Sequence, residues 1–96
     1  MKQEIIAIRL SNENKRIVAV KIKLDDIQKA LGINNIIDAS SLYLNIKDHN
    51  YEYFYTDNKG REAEVEVING DLRDRAYIKT KADLTRIDNL LSLDRF

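Results

Sequence analysis

Cysteine is absent from this sequence, which excludes disulfides, a thiol nucleophile and any thiolate metal site. Histidine occurs once, at position 49, so the imidazole set that a zinc centre needs is missing and no metal is expected. Proline is also absent, removing prolyl isomerisation as a source of slow folding and leaving glycine to mark the turns. The three glycines are isolated from one another, so no phosphate-cradling loop is present and no cofactor is expected. Net charge is zero, with 16 basic and 16 acidic side chains. That balance argues against tight, purely electrostatic binding to nucleic acid or membrane, although a local patch survives it. No apolar run approaches the roughly 18 residues of a membrane span. A strand pattern begins directly after Met1, with no signal peptide, which places the protein in the cytoplasm as an expectation.

What is present is a patterned chain of 96 residues, long enough for one domain over residues 1–96 and without repeat, linker or low-complexity tract. Its most informative stretch runs from Tyr51 to Ile68. Two segments alternate with period two, Tyr51 to Thr56 and Arg61 to Ile68, around Asp57, Asn58, Lys59 and Gly60. Asp opening a turn and Gly closing it predict a type I turn with a bulge at Gly60. Counting back, Thr56 faces Glu62, Tyr55 faces Ala63, Phe54 faces Glu64, Tyr53 faces Val65 and Tyr51 faces Val67. The tyrosines and their small partners go inward, since the carboxylates of Glu62, Glu64 and Glu66 cannot be desolvated without partners. A tyrosine stripe also suits base stacking, but rings filling space over Ala and Val account for the pattern directly. Phe54 falls on the acidic, outward face.

Elsewhere, Glu4 to Leu10 and Ile17 to Leu24 read as an antiparallel strand pair. Ile6, Ile8 and Leu10 share one face there, and Arg9, Lys21 and Lys23 share the solvent face. Asp25 with Gln28 forms a capping-box signature for a short helix that Gly32 ends, its apolar residues being Ile27, Ala30 and Leu31. Ile33, Ile36 and Ile37 read as a loop pinned to the core. Ser40 to His49 fits both strand alternation and a helical stripe, and Ser40 or Ser41 as N-cap favours helix. Arg75 to Thr80 is a fifth strand that sets Lys79 and Lys81 opposite the glutamates. Leu84, Ile87, Leu90 and Leu91 predict a terminal amphipathic helix capped by Asp83, with Leu93 and Phe96 anchoring the tail. The expected fold is therefore α+β: an antiparallel sheet of about five strands with two or three short helices packed on one face.

The segments GREAEVEV (Gly60 to Val67), YIKT (Tyr77 to Thr80) and DNLLSL (Asp88 to Leu93) resemble a family of short bacterial proteins classed as a domain of unknown function. The resemblance spans most of the chain. It implies a bacterial or phage origin and supports a helix at Ser40 to Lys47, but supplies no catalytic residues. Asp94 stands where that family's pattern has proline.

No catalytic constellation emerges. His49 at a helix C-terminus complements the helix dipole, and no nucleophile has a base and an orienting group beside it. The expectation is a non-enzymatic binding or adaptor domain, most simply one that holds a protein partner. Two alternatives are nucleic-acid association through the basic hairpin (Arg9, Lys15, Arg16, Lys21, Lys23) and sequestration of a small ligand or nucleotide in a pocket rimmed by tyrosine hydroxyls. Phe54 joins the basic residues as a candidate contact. An open sheet also leaves edges through which a homodimer forms.

Overall fold

The computed structural model describes residues 2–12, 16–57, 59–68, 76–81 and 90–96. Strands account for 47% of it, against two short α-helices and one 3-10 turn, so the molecule is mostly β. The strands are β1 (Lys2–Leu10), β2 (Ile17–Ile22), β3 (Ile36–Asp38), β4 (Glu52–Thr56), β5 (Glu62–Ile68), β6 (Tyr77–Thr80) and β7 (Asp94–Arg95). The helices are α1 (Asp26–Ala30) and α2 (Ala39–His49).

The expected open sheet is replaced by a closed five-strand barrel, in the ring order β1-β2-β6-β5-β4 and back to β1. Four of its pairings are antiparallel, and the fifth is parallel, joining Lys2, Gln3 and Glu4 to Glu52, Tyr53 and Phe54. That parallel pair overturns the open sheet. It links segments fifty residues apart, which turn and hairpin signals cannot register. β3 extends β2 along Ala19 to Lys21, and β7 runs beside Ala7 and Ile8 of β1.

The expected layer of helices on one face is also absent. α1 has the predicted capping box and ends at Leu31 before Gly32, whose φ is +69°, yet it buries no residue. α2 packs across β2, β5 and β6 and sends Leu42 fully into the core. Its N-cap is Asp38 rather than either serine. Of the predicted terminal helix, Leu90 to Ser92 form a 3-10 turn. Asp83, Leu84 and Ile87 lie outside the described residues, as do Lys15, Asn58 and Arg75.

The hairpin register holds at all three recorded pairs: Phe54 with Glu64, Tyr55 with Ala63 and Thr56 with Glu62. Gly60 has φ +79°, and its N–H donates to the Asp57 carbonyl at 3.0 Å. Tyr53 and Tyr55 are each 1% exposed and belong to the core with Ile5, Ile8, Ile17, Val20, Ile22, Val65, Ile78 and Leu90. Their hydroxyls are satisfied: Asn45 Nδ2 donates to Tyr53 at 3.0 Å, and Tyr55 bonds Thr80 Oγ1 at 2.9 Å. A buried phenol left unpaired costs about 1–3 kcal/mol, so these partners fix where the rings lie.

In the β1–β2 pair strict alternation fails. Register shifts fall between Ile5 and Ala7 and between Arg9 and Leu10. The inward residues are therefore Ile5 and Ile8 on β1, and Ile17, Val20 and Ile22 on β2. Ile6, predicted inward, is 38% exposed. Each bulge spends one residue and turns the following side chains to the other face.

Candidate functional site

The basic residues do not form one patch. Ala7 pairs with Lys21 and Arg9 with Ala19, so these four side chains share one face of the β1–β2 ladder. Phe96 stands over that face: the Arg9 guanidinium lies 4.5 Å and the Lys21 ammonium 5.3 Å from its ring centroid. The backbone fixes the ring, because Phe96 N–H donates to the Ile8 carbonyl at 3.1 Å. Arg16 stacks on Tyr77 at 4.5 Å, away from this pair. Lys15 lies outside the described residues.

Lys23 and Phe54 instead meet in a shallow groove beside α1. It is about 330 Å³ in volume and is lined also by Lys2, Gln3, Leu24 and Gln28. Lys2 Nζ lies 4.9 Å from the Phe54 centroid and 2.7 Å from Glu62 Oε2. That hydrogen bond, with the Glu62 charge behind it, raises the Lys2 pKa. Phe54 is thus half-buried beneath a lysine rather than an isolated exposed ring. Above the groove, α1 turns its apolar side outward. Ile27 and Leu31 are each 72% exposed, followed by Ile33 at 45% and Ile36 at 40%. Positions 27 and 31 are one helical turn apart and lie on one face, so they form a ridge.

A second groove, of about 230 Å³, opens at the seam between α2 and β4–β5. Tyr43 and Ile46 of α2 face Tyr51, Tyr53, Val65 and Val67 across it, with Lys47, Glu52, Glu64, Glu66 and Lys81 at the rim. Burial pushes the Tyr53 phenol up, against the opposing hydrogen bond from Asn45. Tyr51 meets Tyr53 edge-on at 6.5 Å and His49 at 5.8 Å.

A family model described as "Protein of unknown function (DUF3892)" matches residues 4–94. The chain belongs to that family. Among curated proteins and among solved structures, nothing matches. The DUF3892 assignment therefore brings no chemistry of its own, and function rests on the surfaces described above. Among the described residues of this DUF3892 chain, no helix is long and apolar enough to cross a membrane.

Of the three cations read as sharing one face, Arg9, Lys21 and Lys23, the structure keeps Arg9 and Lys21 on it and sets Lys23 in the groove beside α1. Sequence reasoning missed the ridge, because an apolar pair four residues apart reads as inward. The available signal was length: five helical residues between an aspartate cap and a glycine leave little to pack.

Proposed function

We propose that this DUF3892 chain is a small, non-enzymatic, cytoplasmic binding module whose partner is another protein, seated on the α1 ridge. The observation that carries this reading is the pair Ile27 and Leu31, each 72% exposed on a helix that buries nothing. The helix is well built, with Gln28 N–H donating to Asp25 Oδ1 at 2.7 Å and Asp25 N–H to Gln28 Oε1 at 3.0 Å. The cap stabilises α1 through its own hydrogen bonds and so holds an apolar pair in water, which a protein partner desolvates. The adjoining groove, with Leu24 and Phe54 ringed by Lys2, Gln3, Glu4, Lys23, Asp25 and Gln28, gives the ridge the polar border of a docking surface. Addition of a strand at the nearby β3 edge is disfavoured, because the Ile36 N–H is already taken by Asn34 Oδ1 at 3.1 Å. This leaves side-chain docking as the mode.

The test is an Ile27→Gln/Leu31→Gln double variant. Thermal and urea stability are expected to change by no more than about 0.5 kcal/mol, as for surface positions generally. A protein captured stoichiometrically from lysate by the parent chain is expected to be lost. Retention of the same protein by the double variant overturns the reading, as does turnover of a substrate by the purified chain. Self-association abolished by the same substitutions would make the partner a second copy.

A second reading, nucleic-acid association, draws on Arg9 and Lys21. They share the Phe96 ring, and Arg9 Nε also donates to the Phe96 main-chain oxygen at 3.5 Å. Low-salt gel shifts with single- and double-stranded DNA and RNA test it. Binding that weakens with salt and disappears in Lys21→Glu supports it, and the absence of any shift removes it.

A further inference from the structure

We propose that the α2–β4–β5 seam groove binds a small organic ammonium ion, with Tyr51 as the ring that receives it. Outside the core, the aromatic side chains of this molecule are matched with cations. Lys2 lies against Phe54, Arg16 against Tyr77, Lys47 against Tyr43, and both Arg9 and Lys21 against Phe96. Tyr51 is half-buried, yet no lysine or arginine stands over it among the described residues. Its ring lines the groove together with Tyr43, and Tyr53, 1% exposed, backs Tyr51 from the core in an edge contact at 6.5 Å. Ring faces attract cations through their quadrupole, and a half-buried tyrosine beside an apolar groove suits a quaternary or primary ammonium head.

The rim charge agrees. Glu64 and Glu66 are held by Lys81 at 3.6 Å and Lys79 at 3.4 Å, with these side chains 37–57% exposed. Such loose, solvated pairs leave their carboxylates open to a competing cation. Glu52 lines the same groove and has no ion-pair partner among the described residues. Glu52, Glu64 and Glu66 outnumber Lys47 and Lys81 around this groove, so the net charge there favours a cation over an anion. A volume of about 230 Å³ falls below the roughly 300–1,000 Å³ of drug-sized clefts, which limits the ligand to a few heavy atoms around its charge. Ile46, Val65 and Val67 supply the apolar floor for the methyl or methylene shell of that ammonium.

The experiment titrates the folded chain with three molecules of one shape, followed by amide NMR shifts. These are choline, its neutral isostere 3,3-dimethylbutan-1-ol, and the anion 3,3-dimethylbutanoate. Choline is expected to saturate, with the largest shifts at Tyr43, Tyr51 and Glu52. The alcohol is expected to bind roughly fivefold more weakly and the anion not at all. Glu52→Gln, an exposed position, is expected to weaken choline roughly threefold by removing one charge without changing the melting temperature. No saturable shift with choline, equal binding of the alcohol, or undiminished affinity in Glu52→Gln each overturns the proposal.

Discussion

Asp38 stands where β3 ends and α2 begins, and its Oδ1 accepts the Ser41 N–H at 2.8 Å. The Ser41 backbone, and then its side chain, hold the Asp38 carboxyl below the ordinary aspartate range, against a weaker upward push from burial. The sign of the linkage follows. A folded pKa below the unfolded one means that the native state releases this proton more readily. The stabilisation is therefore complete above the ordinary aspartate pKa and is lost as pH falls through the lower folded value. Asp38→Ala is expected to cost about 1 kcal/mol near neutrality, the usual worth of an N-cap. Asp38→Asn retains an acceptor and is expected to stay within a few tenths of a kcal/mol of the parent there, while losing this residue's share of the decline in acid. Urea midpoints from neutral pH to about pH 3 measure both. Parallel pH profiles for the parent and Asp38→Asn would show that the carboxylate does not act as described.

Elements whose signals are local were legible in the sequence. The Tyr51–Ile68 hairpin could be registered by counting because Asp57 and Gly60 fix its turn within four residues, and α1 was legible from Asp25, Gln28 and Gly32. β6 was legible through charge: Lys79 and Lys81 lie 3.4 Å and 3.6 Å from Glu66 and Glu64, pairs worth about 0.2–1 kcal/mol each. The β1 faces were not legible. Ile5, Ile6, Ala7 and Ile8 are all apolar, so a bulge among them leaves no trace in the pattern. The outward turn of α1 was equally hidden, since Ile27 and Leu31 have the spacing of a buried stripe and only the barrel surface decides otherwise. For the candidate sites, the ladder face of Arg9 and Lys21 could be read from parity, whereas the Phe96 ring between them comes from a segment some seventy-five residues further along the chain. The seam groove was anticipated only in kind, as a tyrosine-rimmed pocket, because α2 and β5 meet through tertiary packing.

For the molecule as a whole, everything turns on how the ring closes. An open five-strand sheet would expose two edges and one face of its core, whereas the barrel surrounds Tyr53, Tyr55, Ile5 and Ile8 with strands. The closing contact is brief, three residues of β1 beside three of β4. Within it, the direction of each backbone group can be assigned. The Glu4 carbonyl accepts the Lys23 N–H at 2.8 Å, so the polar groups of Glu4 face the β2 side, and those of Gln3, one residue earlier in an extended chain, face β4. Gln3 is therefore the residue whose backbone joins the ring. Gln3→Pro keeps an extended φ but deletes that donor, and the acceptor on β4 is left unpaired. The expected loss is about 1–3 kcal/mol, with Gln3→Val, which leaves the ladder intact, changing stability by less than about 0.5 kcal/mol. With no tryptophan in the chain, tyrosine fluorescence and far-UV circular dichroism in urea report the transition, and Tyr53, which faces Gln3, reports closure most directly. Equal midpoints for Gln3→Pro and Gln3→Val would mean that the barrel does not depend on this pair.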